Sequence, residues 1–471
     1  MFPSRPDLSQ IETLDLVFPS TNQRERIMDF LAYLTLAFDI TAIRTLKCTF
    51  ASPAYSNPVR MGHLTPDYRR LTRFIQRLHK ITSIVIHFEK RNMFEYGTTP
   101  AGVYHDWLTS MNSLLDACRQ SGCEEFRVYH GTYPTFYFFL YLRTALRSWI
   151  HLLANMGSKV TSIRQGPGWE YIPITSTAPI TLSPSQILVD EKPKLDSFCI
   201  AAPFLLYPPH SEWTFQLLRA SHLTTLTLLD ISRITEAFWI PPFTWLAICL
   251  KSTLQTLTIT RCLSLPPAPL IDFLNKFKSL THLTLRGPLP LVHSLSRTLI
   301  LPCLVSIFTY SDYITLMCPK RRFIRQPPLP QNLQNLRIIP RCPKDHNHSV
   351  DLVDCSSYYT TILTTFSKVP KIVLDFDSVT PRTSLNLPPP PGHLLHFPAY
   401  QHVTDIIVSA PQAYQDLCSP NVLSLFPNVK RVRILDRSIH QTQTHIPVEV
   451  LEKMKENLPR SVTAVTLVVG D

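Results

Sequence analysis

The sequence predicts an α/β repeat array: short parallel strands line the inside of a curved sheet, and helices pack on its outside. Three observations carry that expectation. A hexameric apolar pattern recurs from end to end, a helix-patterned stretch precedes most copies, and the 471 residues hold 42 prolines but only 11 glycines.

The hexamer reads apolar, two polar, apolar, one polar, apolar. Its clearest copies are Leu223–Leu228, Leu254–Ile259 and Leu280–Leu285. Further copies begin at Ile11, Ile43, Ile81, Cys123, Val160, Leu195, Leu304, Leu333, Val369, Val403, Val429 and Val462. The spacing of these roughly fifteen copies runs from about 24 to about 42 residues, in the range of repeat architectures. The last two apolar positions alternate with polar ones, the mark of a strand with one buried face. Leu283 and Leu285 are expected to point inward, and His282, Thr284 and Arg286 outward. Threonine and β-branched residues fill these segments, as strands prefer.

Helix-patterned stretches cover Arg26–Phe38, Tyr68–His79, His105–Arg119, Pro269–Phe277 and Val448–Asn457. In the fourth, Leu270, Phe273, Leu274 and Phe277 share one face. Around Tyr68–Lys80, the residues Leu71, Phe74, Ile75 and Leu78 form a core stripe, and Arg69, Arg70, Arg73, Arg77 and Lys80 form an outer one. No such unit buries its apolar face alone, so the units must stack. The expectation is one array over residues 1–471, with irregular stretches near 317–330, 340–357 and 380–398. Pro388–Pro391 in the last of these favours polyproline II.

The units resemble cytosolic leucine-rich repeats. Leu254, Leu257, Ile259 and Cys262 match that family's pattern through its cysteine. The irregular lengths, proline-rich connections and threonine-rich strands are similar to the repeat regions of fungal F-box proteins. Most units lack the asparagine or cysteine after the strand, and many exceed the family's usual period. No F-box precedes the first hexamer at Ile11, so the link to a ubiquitin-ligase adaptor is not carried over. The resemblance implies a leucine-rich-repeat solenoid that binds a protein partner on its inner strand face. It also implies a substrate-receptor-like protein without its F-box.

Function classes narrow further on chemistry. Few glycines count against nucleotide-binding folds, because glycine lets backbone amides crowd a phosphate. Neither phosphate-loop pattern occurs, nor do the metalloprotease helix motif and the nucleophile elbow. No catalytic residue and no cofactor is nominated, and the expectation is a protein that is not an enzyme. Cys342, His346, His348 and Cys355 are the best metal candidates, but their spacing matches no strong zinc pattern. The eleven cysteines are odd in number and irregularly spaced, which implies reduced thiols in the cytoplasm or nucleus. Thr135–Met156 is apolar but is interrupted by Arg143 and Arg147, so no membrane span is expected. The segment before Ile11 shows no leader pattern.

The net charge is +12. It reads either as an evenly spread, solvated surface or as an attraction for an acidic partner or nucleic acid. The run Lys320, Arg321, Arg322 and Arg325 around Phe323 could grip single-stranded nucleic acid, import the chain into the nucleus, or simply be solvated. A protein partner is the first expectation and a nucleic acid the second. The outward strand positions carry the candidate partner-binding residues Arg286, Phe308, Tyr310, Arg337 and Arg433, since aromatic residues and arginine are enriched at binding hot spots. The alternative is a solvated face on which a neighbouring loop covers Phe308. The terminal strands at Ile11–Phe18 and Val462–Val468 are expected to need covering, by a further module, a partner or the terminal helices.

Overall fold

The fold is taken from a computed structural model. It describes residues 12–18, 42–50, 61–78, 81–88, 98–130, 169–171, 195–201, 203–206, 211–231, 239–262, 265–287, 299–317, 330–341, 349–352, 355–376, 380–382, 400–409, 422, 425–436 and 461–469. The chain forms two compact units, Met1–Ser232 with Ile240–Thr253, and Arg233–Trp239 with Leu254–Asp471.

The first unit contains β1 (Thr13–Phe18), β2 (Thr45–Phe50), α1 (Met61–Ile75), β3 (Ser83–Phe88), β4 (Thr98–Pro100), α2 (Ala101–Gln120) and β5 (Glu125–His130). It continues with β6 (Trp169–Tyr171), β7 (Ser197–Ala201), α3 (Ser211–Ala220), β8 (Thr225–Leu229) and α4 (Ile240–Leu250). Six of its strands pair in parallel in the order β1, β2, β3, β5, β7, β8. The short strands β4 and β6 form a separate antiparallel pair.

The second unit contains β9 (Thr256–Thr260), α5 (Pro267–Leu274), β10 (His282–Arg286), β11 (Ser306–Tyr310), α6 (Ser311–Met317), β12 (Asn335–Ile339) and β13 (Ser349–Asp351). Then follow α7 (Ser356–Thr365), β14 (Lys371–Phe376), β15 (Thr380–Arg382), β16 (Asp405–Ser409), β17 (Arg431–Asp436) and β18 (Ala464–Val469). Eight strands pair in parallel in the order β9, β10, β11, β12, β14, β16, β17, β18. The short β13 and β15 pair in parallel with each other. Fourteen of the fifteen hexamers are thus parallel strands, as the repeat pattern requires. The exception is the copy at Val160: Phe126 on β5 stands directly opposite Phe198 on β7, so no strand lies between them. Val160 itself lies outside the described residues, as do Arg26–Phe38, Thr135–Met156, Lys320–Arg325, Pro388–Pro391 and Val448–Asn457.

Apolar alternation sets the faces. Leu257, Leu283, Ile307 and Leu336 form one in-register row, and each is buried to within 1%. Helix stripes are buried in each unit: Leu71, Phe74, Ile75 and Leu78 near α1 in the first, and Leu270, Phe273, Leu274 and Phe277 at α5 in the second. Arg69, Arg70, Arg73 and Arg77 are exposed, as amphipathic spacing demands. Pro267 opens α5, where a missing N–H costs nothing. The helix α1 starts seven residues before the sequence stripe, at Met61, and ends at Ile75.

Two expectations need correcting. The stretches near 340–357 and 380–398 are not wholly irregular, because they hold β13, the start of α7, and β15. Nor is every strand open on one side. In β3, β7, β14 and β16 both faces contain buried residues, among them Val85 and His87, Cys199 and Ala201, Val373 and Asp375, and Asp405 and Ile407. These strands carry continuous apolar runs such as Ile372–Leu374 and Ile406–Val408, the composition of a strand covered on both sides.

One main-chain device joins successive strands. The N–H groups of Thr281 and His282 both donate to the Gln255 carbonyl, at 2.8 and 3.0 Å, and the Thr281 hydroxyl donates to the same oxygen at 3.0 Å. Thr82 repeats this on Arg44, Thr224 on Asp196 and Thr463 on Lys430. The second hexamer position thus favours threonine for a reason beyond strand propensity. After β8 and β9 the chain turns through left-handed residues, Asp230 at φ 58° and Arg261 at φ 54°. At Gly287, after β10, a Cβ would stand 2.8 Å from the Cys262 carbonyl, so only glycine fits without a backbone shift.

Leu283→Ala is expected to destabilise the second unit by about 2–5 kcal/mol, the usual cost of a buried cavity. Urea unfolding of the full chain measures it, and an unchanged transition would refute the assigned register.

Candidate functional site

The open strand face of the second unit concentrates polar and aromatic side chains. Register stacks Thr258, Thr284, Phe308, Arg337 and Val373 in one row, and Asp405, Arg431 and Ala464 continue it. Phe308 is held between two cations. The Arg286 guanidinium lies 4.9 Å and that of Arg337 4.1 Å from its ring centroid. Such contacts contribute about 0.5–1 kcal/mol each at exposed sites. Phe308 is half-buried.

Arg337 has a second partner. Its Nη2 lies 2.7 Å from Asp375 Oδ2, and its Nε donates to the same oxygen at 2.9 Å. Asp375 is 1% exposed and Arg337 35%. A second buried carboxylate, Asp405, sits on the next strand of the sheet at 0% exposure, with Arg431 Nε 2.7 Å from Oδ1. Arg433 reaches the same oxygen only at 3.9 Å. The Thr404 hydroxyl donates to Asp405 Oδ2 at 2.7 Å. Lys371 shares this surface. Burial lowers its pKa, and the charges of Arg433, Arg431 and Arg337 lower it further against the pull of Asp405. The surface therefore carries more positive than negative charge.

A strand slip separates Lys371 from Asp405. Aligned hexamers would place Lys371 opposite Asp405, but Asp405 pairs with Val373. Pro370 has no N–H to give the usual double donation, and Lys371 alone donates to Gln334. The Thr404 N–H donates to the Ile372 carbonyl, and the Ile372 N–H donates to Thr404 Oγ1, whose own proton is donated to Asp405. A slip of two residues leaves inward and outward positions unchanged, whereas a slip of one would invert them.

Tyr310 belongs to a neighbouring cluster. The Arg341 guanidinium lies 5.3 Å from its ring centroid and pairs with Asp312 at 3.3 Å. The Arg341 N–H donates to Tyr359 Oη at 2.8 Å and to Ser311 Oγ at 3.1 Å. The Tyr358 hydroxyl donates to Asp312. Burial raises the Asp312 pKa, while Arg341 and Tyr358 lower it.

The structure thus brings Arg286, Phe308 and Arg337 into direct contact, sets Tyr310 in the Arg341 cluster, and puts Arg433 beside Asp405. Sequence reasoning missed Asp375, Asp405 and Arg341. The signal was an acid next to or inside a continuous apolar run, in KIVLDF and DIIV, with arginines on adjoining strands.

Elsewhere the chemistry is quiet. Burial pushes the thiols of Cys123, Cys199 and Cys249 up to about 11, so each is held as a neutral thiol. Among the described residues no cluster of metal-binding side chains occurs. Cys355 is a buried free thiol, and Cys342, His346 and His348 lie outside the described residues. No described helix is long and apolar enough to cross a membrane. Comparison with known protein families and with curated proteins finds no match to this chain.

Two measurements check this geometry. Arg431→Ala is expected to cost about 1–3 kcal/mol despite the exposure of Arg431, because it strips the main partner from the buried Asp405 carboxylate. Chemical denaturation reads that cost. Asp312 works in the opposite sense. Its raised pKa stabilises the fold below the ordinary carboxylate range, and that contribution is lost as pH rises through the folded value. Asp312→Asn is therefore expected to gain stability relative to wild type between acid and neutral pH, read as a difference of urea midpoints.

Proposed function

We propose that this chain is a leucine-rich-repeat-type scaffold, without enzymatic activity, that docks a protein partner on the open strand face of its second unit. The observation that supports this most is Phe308. A large aromatic ring stays half-exposed while two guanidinium groups fix it from either side. Rigid aromatic and arginine anchors of this kind supply binding energy at little entropic cost. Asp375 holds Arg337 in place before any partner arrives. The buried thiols and the absence of nucleotide-binding and hydrolase motifs in the sequence add to this reading.

Quantitative affinity capture with the full chain tests it, run beside Phe308→Ala and Thr227→Ala. Thr227 occupies an outward position on β8 in the first unit. The expected result is a set of proteins retained by wild type and by Thr227→Ala, and retained at least tenfold less by Phe308→Ala. A tenfold loss corresponds to about 1.4 kcal/mol. Retention indifferent to Phe308, with both variants folded by circular dichroism, would refute the assigned surface.

A further inference from the structure

We propose that the second unit's strand face binds an extended acidic segment of a partner protein, laid across the strands from β10 to β17, with Arg286, Lys371 and Arg433 taking its carboxylates. This rests on the docking reading above and names the chemistry of the partner.

The charges on this face fall into two groups. Asp375 and Asp405 are buried, and each holds one arginine at 2.7 Å: Arg337 and Arg431. Those two guanidinium groups are internally compensated and act as fixed parts of the surface. The other three cations are not compensated. Arg286 lies on Phe308, and Lys371 stands in the register row of His282, Ser306 and Asn335. Neither has a carboxylate within ion-pair distance among the described residues. Arg433 shares Asp405 at 3.9 Å, with Arg431 much nearer. Burial disfavours the ammonium form of Lys371, and Arg433, Arg431 and Arg337 add to that against the pull of Asp405. An incoming carboxylate would relieve that repulsion.

The geometry sets the length. From β10 to β17 is five strand steps, or about 24 Å at about 4.8 Å per step. An extended segment rising about 3.3 Å per residue spans that in about seven residues. Phe308, which is not fully buried, interrupts the cations along this path and favours an apolar side chain between the acids. Three uncompensated cations are too few for the counterion-driven attraction of a nucleic acid, which draws on about six to ten phosphate contacts.

Fluorescence anisotropy on the full chain tests the proposal. The probes are a labelled octapeptide alternating Glu with Leu and Ser, its Gln counterpart, and a single-stranded oligonucleotide. The proteins are wild type, Arg286→Glu/Lys371→Glu/Arg433→Glu, and the charge-matched control Arg69→Glu/Arg70→Glu/Arg73→Glu, whose changes lie on α1. The expected result is that the Glu peptide binds wild type and the α1 control alike, and binds the face variant at least tenfold more weakly, while the Gln peptide binds none. Equal weakening by both triple variants would reduce the effect to net charge and overturn the proposal. So would tighter, face-dependent binding of the oligonucleotide, or no binding of the Glu peptide. Thermal melts confirm that the variants fold, and if the face variant does not, Arg286→Gln/Lys371→Gln replaces it with the same criterion. If the Glu peptide fails while Phe308-dependent capture persists, the acidic partner is refuted and the docking surface stands. If both fail, both readings fall.

Discussion

Within each unit, successive strands of the main sheet begin on a main-chain carbonyl supplied by the strand before. At most junctions one oxygen receives two N–H donors, and where threonine holds the second hexamer position it commonly receives a hydroxyl as well. This oxygen lies just ahead of the strand, where an unpaired polar group would otherwise be left at the edge of the core. The handoff fixes where each ladder starts. The ladder then fixes which residues face the helices, and the leucine row follows. Helix packing is a consequence rather than a cause: α1 and α5 bury their stripes because the strands of their own unit present an apolar row to cover.

That same start point explains where the candidate surface lies. At the β14–β16 junction the Thr404 N–H donates to the Ile372 carbonyl, two residues beyond the usual acceptor position. That offset puts Asp405 beside Val373 and in the field of Lys371, while the in-register pairing of β16 with β17 sets Asp405 opposite Arg431. Two acids then lie under four cations instead of facing solvent on a flat threonine ladder. Their burial would be costly alone, and each is met by a charged partner and by hydrogen bonds. The two ion pairs organise the surface, and the β14–β16 offset fixes where they stand along the neighbouring strands.

The repeat was legible in the sequence because its period is short and its apolar residues have no other use. Leu257, Leu283 and Leu336 announce their burial through alternation alone. The outward row was legible too, since parity assigns Phe308 and Arg337 to the same side. Three things were hidden. The direct pairing of β5 with β7 was masked by a hexamer at Val160 that fits the pattern by composition. Coverage of both faces at β14 and β16 was written in unbroken apolar runs, which the search for alternation passed over. The acids Asp375 and Asp405 were invisible as partners, because which arginine each meets depends on contacts across neighbouring strands and not on spacing along the chain.

The offset between β14 and β16 also bears on how such a chain accommodates change. A strand's side chains obey parity, so the array distinguishes even displacements from odd ones. An odd insertion near a strand would turn leucines outward and bring charges in, and the unit would fail. An even one passes unnoticed by the core and shifts only the pattern on the exposed side, by about 7 Å for two residues. The interior therefore acts as a filter that is blind to sliding by pairs. Surface chemistry can be re-dealt through such slides, bringing distant side chains together, without a single substitution in the packed layer.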